Sequence, residues 1–203
     1  MRRHRENQNA GRYLSVEDIA RLEAAARSDG EALVAAFIRF LAETGMRRGE
    51  AERLRWDDLR EGDGRVRMTI RKTKTKEDRT VTGTTAVSRV VRELRDRTDF
   101  DGRGLVFPLP RDENEVCRPW VDYRFGRAWR VAGLGKARVH DLRHHAATRI
   151  LESNVAPQDA AKHLGMRLDT HLSRYANHAA GNSSDRVVQQ LDATDRTRFR
   201  LVR

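Results

Sequence analysis

Four short stretches of this chain carry side chains that act on phosphates. "ETGMRRGE" (43–50) holds Arg47 and Glu50; "TKTKEDR" (73–79) holds Lys74 and Arg79. "HDLRHH" (140–145) holds His140 and Arg143, and "HLGMRLDTHLSRYANH" (163–178) ends on Tyr175. Two arginines can grip one phosphate through planar, bidentate hydrogen bonds. His140 and Arg143 are three residues apart and so neighbours along a helix. They fall at that helix's N-terminus, where unsatisfied N–H groups and the dipole favour an anion. A lysine at a hairpin tip can reach into a groove and donate a proton. A tyrosine hydroxyl can be a covalent nucleophile, although its reference pKa of about 10 demands help from nearby cations. Singly, each feature is weak: an arginine at a helix start is more often a surface charge, and a tyrosine among polar residues more often packs amphipathically. Together they form a set suited to phosphoryl transfer.

The composition agrees. Lys plus Arg is 41 against 30 Asp plus Glu, a net charge of +11 spread along the 203 residues. A folded domain so basic expects a polyanion, and nucleic acid stands above a merely solvated surface. One cysteine, Cys117, excludes an internal disulfide framework and fits a reducing compartment. The basic start "MRRHRENQNAGRY" has no apolar run after it and is no secretory signal. No stretch is long and apolar enough to span a bilayer. The expectation is a cytoplasmic, DNA-associated protein with no membrane partner.

The elements that must position these groups are mostly helical. Ser15 and Asp18 open a capped helix with Ile19, Leu22 and Ala26 on its apolar stripe. "EALVAAFIRFLAETG" spaces Leu33, Phe37, Phe40 and Leu41 helically and ends at Gly45. A further helix is expected through "RRGEAERLRWDDL", with Ala51, Leu54 and Trp56 inward. The period then drops to two: Val66, Met68 and Ile70 alternate with Arg65, Arg67, Thr69 and Arg71, giving a hairpin whose charged turn is "KTKTKED". Helices follow at "AVSRVVRELRDR", "WVDYRFGRAWRVAGL", "HDLRHHAATRILES" and "APQDAAKHLG", the last starting at Pro157 and stopping at Gly165. Residues 98–119 read as a long connection, and "SSDRVVQQLDA" as a short amphipathic helix. There is no Walker loop, no GxGxxG after a strand and no HExxH, so nucleotide-binding and zinc-protease readings lack support.

In this order and spacing the four stretches resemble the tyrosine recombinases of the phage integrase family. The family's first box, TG-x-R-x-x-E followed by Leu-x-Trp-x-Asp, is similar to "TGMRRGE" and "LRWDDL"; its hairpin lysine motif is similar to "TKTKEDR", and HDLRHT-x-AT to "HDLRHHAAT". The family's LGH segment leads to a tyrosine nine residues on, as Met166 leads to Tyr175 here. The resemblance covers about residues 12–178. It implies an α+β, mainly helical fold: a single integrase-like catalytic domain with a small antiparallel sheet packed on a helical core. Expected boundaries are a basic arm or linker at 1–13, the catalytic domain at 14–180, and a tail with a short helix at 181–203.

The resemblance further implies a site-specific recombinase or integrase of a phage or mobile element, cutting and rejoining double-stranded DNA without metal or other cofactor. Tyr175 would form a 3′-phosphotyrosyl intermediate. Arg47, Arg143 and His140 would stabilise charge on the phosphate, Lys74 would protonate the leaving 5′-oxygen, and Glu50 would orient the site. His140 could also take the tyrosine proton. Met166 departs from the family's usual His or Trp, because a thioether cannot donate a hydrogen bond. Three accounts compete: a weakened site, which is favoured; replacement by His163 or His171, the latter expected to face solvent; or DNA binding with little cleavage. Alternative readings are a type IB topoisomerase-like nicking and resealing enzyme, a catalytically weakened DNA-binding domain of the same fold and, more distantly, a basic RNA- or ribosome-binding domain. The resemblance implies a homotetramer on DNA and a monomer in isolation. Residues 1–13 are too short for the family's N-terminal core-binding domain, and an isolated catalytic domain or a piece of a longer protein is expected.

Overall fold

The structure, a computed structural model, describes residues 14–71, 78–97, 103–112, 115–135, 137–153 and 155–175; for Asp112, Glu115, Ser173, Arg174 and Tyr175 it describes the backbone. The expected arm, the tail with its short helix, and Lys74 lie outside the described residues.

Helix α1 (Val16–Ser28) opens as expected. The Ser15 hydroxyl accepts from the Asp18 N–H, and the Asp18 carboxylate accepts from the Ser15 N–H, both at 3.1 Å. Helix α2 (Ala32–Thr44) is apolar on most sides and correspondingly buried, from Val34 through Ala42 apart from Arg39. It runs through the centre, packed against α1, α4 (Thr85–Arg95), α5 (Arg118–Val131) and α6 (Val139–Glu152). Gly45 caps it in the left-handed conformation, φ 63°.

The expected helix over "RRGEAERLRWDDL" is a correction. Only Arg48–Ala51 is helical, as α3. The following backbone bonds elsewhere: Trp56 donates to Gly104 at 3.1 Å and Val106 donates to Leu54 at 2.9 Å. A 3-10 turn (Trp56–Asp58) and strand β1 (Leu59–Gly62) complete the stretch. Ala51, Leu54 and Trp56 are nevertheless buried, as their apolar character requires.

Strands β2 (Arg65–Ile70) and β3 (Arg79–Thr82) form the expected antiparallel hairpin, and β1 joins β2 to make a three-stranded sheet. Val66, Met68, Ile70 and Val81 face the core, where β2 meets α4. The expected long connection at 98–119 holds more structure than composition suggested. It carries two short antiparallel strands of two residues each, β4 (Arg111–Asp112) and β5 (Glu115–Val116), and it inserts Phe107 edge-on to Phe37 and Phe40, with centroids 5.1 and 4.9 Å away. Such aromatic pairs contribute about 0.5–1.5 kcal/mol beyond their burial.

Val121, Phe125 and Trp129 of α5 are buried, as their steps of four predict. Helix α7 (Pro157–Leu164) starts at Pro157 and ends at left-handed Gly165, and α8 (Leu168–Tyr175) packs against it. No described helix is long and apolar enough to cross a membrane.

Candidate functional site

The site forms where three chain segments meet: the α2–α3 turn, the start of β3, and the α7–α8 turn. Arg47 precedes α3. Its Nη2 donates to the Gly165 carbonyl at 2.7 Å, and its Nη1 to Glu50 Oε1 at 3.0 Å. Glu50 turns back to accept the Arg47 backbone N–H at 2.9 Å. The same carboxylate meets Arg79 face to face, Nη1–Oε1 at 3.0 Å and Nη2–Oε2 at 2.7 Å. Arg79 Nε donates to the His163 carbonyl at 3.2 Å. Burial acts to raise the Glu50 carboxyl, but the paired bonds and charge of Arg79, with the bonds from Arg47, outweigh it and hold it down at about 2.

Arg143 enters the same place from α6. It is 3% exposed, and donates to the Gly45 carbonyl at 2.6 Å and the Leu164 carbonyl at 2.7 Å. The two arginines of the first and third motifs therefore converge on consecutive carbonyls, Leu164 and Gly165. A guanidinium has five N–H donors. Arg47 commits two to Glu50 and Gly165 while its side chain stays 41% exposed, so its outer edge can accept an anion. Among the described residues that bond to one another here, the guanidiniums of Arg47, Arg79 and Arg143 outnumber the one carboxylate, Glu50, which Arg47 and Arg79 share, and the cluster is positive.

His140 lies in the first turn of α6, exposed, its ring edge-on to His144 at 4.9 Å. It is one turn from Arg143, as the spacing required, but the two side chains part, one outward and one into the core. Tyr175 is the last residue of α8, the helix that leaves the Gly165 turn; its side chain is outside the described residues, and so is Lys74 entirely. The structure thus brings together Arg47, Glu50, Arg143 and the turn bearing Met166, with His140 one helical turn away.

Met166 has a packing partner of its own. Its N–H donates to the Ala161 carbonyl at 3.0 Å, closing α7, and its side chain packs against the small buried cluster of Ala147 and Leu164, as do Ile150 and Leu151. Neither proposed histidine substitute points outward. His163 Nε2 donates to the Thr44 carbonyl at 3.2 Å. His171 corrects the expectation of a solvent-facing ring: it is fully buried in α8, the helix that packs against α7. Burial pushes both rings below the ordinary histidine range.

Sequence reasoning missed the part played by Arg79 and the two glycines. Arg79 served only as a spacing mark after Lys74, although it is the ion partner of Glu50. Gly45 and Gly165 were legible as helix ends but not as close contacts. A Cβ on Gly45 would lie 2.6 Å from Leu164 Cδ2, and one on Gly165 would lie 2.5 Å from Arg79 Cζ.

The phage integrase family profile matches residues 12–182. The chain belongs to the phage integrase family. Solved structures of integrases and site-specific recombinases share its fold. XerA recombinase superposes with TM-score 0.67 at 23% identity, over 94% of this chain and 67% of that one. The catalytic domain of bacteriophage HP1 integrase gives 0.61 at 23%, over 87% and 94%. XerH site-specific recombinase, in a pre-cleavage complex with its difH substrate, gives 0.65 at 19%, over 85% and 52%. This chain therefore spans about half of the XerH chain and two thirds of XerA, and nearly all of the HP1 catalytic domain. No curated protein sequence matches it. The expected fold, a mainly helical integrase catalytic domain with a small antiparallel sheet, is the one observed.

Proposed function

We propose that residues 14–180 of this integrase-family chain form a catalytic domain that cuts and rejoins double-stranded DNA, with Tyr175 as the nucleophile. One observation carries the reading. Arg47 and Arg143, from distant motifs, converge on the carbonyls of Leu164 and Gly165, in the turn from which the helix of Tyr175 departs.

In the proposed reaction the Tyr175 oxygen attacks the scissile phosphorus, and the P–O5′ bond breaks. The tyrosine proton passes to His140, and Lys74 protonates the departing 5′-oxygen. The product is a 3′-phosphotyrosyl link that conserves the phosphoester bond. A 5′-hydroxyl from a partner strand reverses the step and rejoins the DNA, so the cycle consumes no nucleotide and uses no metal. Arg47 and Arg143 offset charge growing on the non-bridging oxygens, the largest contribution expected in such a transfer. Glu50 holds Arg47 and stays off the phosphate. Met166 leaves one donor fewer around that phosphate, which slows cleavage without abolishing it. Strand exchange requires four copies on paired DNA sites, and the isolated chain is a monomer that meets DNA in the cytoplasm, on a phage or other mobile element.

The test is incubation with a pool of nicked duplexes of randomised sequence, in which the short 5′-hydroxyl fragment escapes after cleavage. A protein–DNA adduct that survives a denaturing gel supports the reading; its absence contradicts it. Plasmid relaxation with no recombinant product would favour the topoisomerase-like alternative.

A further inference from the structure

Arg79 binds both Glu50, which holds Arg47, and the end of α7, whose carbonyls at Leu164 and Gly165 receive the two arginines proposed to hold the phosphate. Its guanidinium makes the paired contact with Glu50, at 2.7 and 3.0 Å, and donates through Nε to the His163 carbonyl. The pairing uses the guanidinium edge and the carboxylate as matched forks, the geometry that fixes both partners most firmly. The pair is largely shielded, with side-chain exposures of 15% for Arg79 and 13% for Glu50. Glu50 in turn accepts from the Arg47 backbone and from its guanidinium.

Two more observations bear on this residue. Gly165 has no room for a Cβ because the Arg79 guanidinium lies against it, and its carbonyl is the acceptor for Arg47. Arg79 also forms the pair with Ile70 that is the last rung of the β2–β3 hairpin before the segment holding Lys74. Arg71, on the opposite side of that segment, is tied to Asp58 at 2.5 Å. One guanidinium thus joins the first-motif carboxylate, the base of the hairpin and the turn into α8.

We propose that Arg79 is a positioning residue for the cleavage step, acting through Glu50 to fix the Arg47 guanidinium. The proposal rests on the function proposed above. Misplacing a reacting group by about 1 Å costs on the order of 100-fold in rate, so the loss of Arg79 slows adduct formation by roughly 10- to 100-fold while DNA affinity changes little.

The experiment measures single-turnover adduct formation on the nicked duplex pool, with DNA affinity and thermal melting measured in parallel. It uses the full chain, the variants Arg79→Met, Arg79→Lys and Glu50→Gln, and the double variant Arg79→Met with Glu50→Gln. A purely structural role lowers the fraction of protein that reacts and leaves its rate constant unchanged. A positioning role lowers the rate constant itself. The expected results are a reduced rate constant in Arg79→Met, partial recovery in Arg79→Lys, and a double variant no slower than the slower single one, because both changes break the same linkage. Should Arg79→Met fail to melt cooperatively, Arg79→Lys decides: its rate constant falls below wild type because a lysine cannot make the paired contact. Rate constants within about twofold of wild type, or fully multiplicative losses, overturn the proposal. A wild-type chain that forms no adduct at all overturns the underlying reading, and the role of Arg79 with it.

Discussion

Arg47 donates to the carbonyl of Gly165 at 2.7 Å, across 118 residues of sequence. Beside it, Arg143 donates to the carbonyl of Leu164 at 2.7 Å. The two contacts look alike, but one arginine is half-buried and the other almost wholly buried, so their removal has different consequences.

Arg47→Ala and Arg143→Ala are both expected to abolish adduct formation, but only the second costs much stability. Arg143→Ala leaves the buried Gly45 and Leu164 carbonyls without this donor. At about 1–3 kcal/mol per unsatisfied group, the two carbonyls together cost about 2–6 kcal/mol. Arg47→Ala loses about 1 kcal/mol, since its side chain is part-exposed. Chemical denaturation of both variants checks the contrast; equal losses would contradict it.

Met166→His is expected to raise the rate of adduct formation, because it restores an N–H donor at the turn. It also removes a side chain packed against the Ala147 and Leu164 cluster, so melting should fall by an amount worth about 1 kcal/mol. Unchanged or slower cleavage would show that the site has been rebuilt around the methionine.

Gly45→Ala and Gly64→Ala separate backbone cost from close approach. Both glycines are left-handed, at φ 63° and 69°. A Cβ on Gly64 meets nothing within 4 Å, whereas one on Gly45 meets Leu164 at 2.6 Å and Ala146 at 3.1 Å. Gly64→Ala should therefore cost about 1–2 kcal/mol, and Gly45→Ala about 1–3 kcal/mol more from overpacking. Urea unfolding measures both, and equal costs would contradict the described packing.

Stability should fall as pH drops below about 6.5. Burial holds the rings of His145, His163 and His171 below the ordinary histidine range. Each binds a proton more weakly folded than unfolded, so the unfolded chain takes up more protons as the solution acidifies. The contribution is complete above the unfolded pKa and is lost as pH falls through the folded values. Melting curves at pH 7.5, 6.5 and 5.5 check the sign; a constant or rising melting temperature on acidification would contradict it.

The fold was legible where periodicity was strong. Alternation in Val66, Met68 and Ile70 marked the hairpin, and Val121, Phe125 and Trp129 marked α5. It failed at "RRGEAERLRWDDL", where helical letters lost to backbone bonds with residues 104–106, a pairing that no local pattern encodes. Strand β1 was missed because its residues Leu59–Gly62 offer a single buried side chain, Leu59. For the candidate site, the side chains were legible and their partners were not. Arg47 and Arg143 bond to main-chain carbonyls, which carry no letter of their own. Arg79 reaches Glu50 across 29 residues, and only folding brings the two charges together. His171 looked solvent-facing because its neighbours are polar, but the packing of α8 buries it.

The proposed reaction attaches DNA to the phenolic oxygen of Tyr175. The most direct measurement is mass spectrometry of the adduct after trimming with nuclease and trypsin. A nucleotide remnant on Tyr175, together with loss of the adduct in Tyr175→Phe while DNA binding persists, is the predicted result. A remnant on Tyr123 or any other residue, or an adduct that survives in Tyr175→Phe, would contradict it.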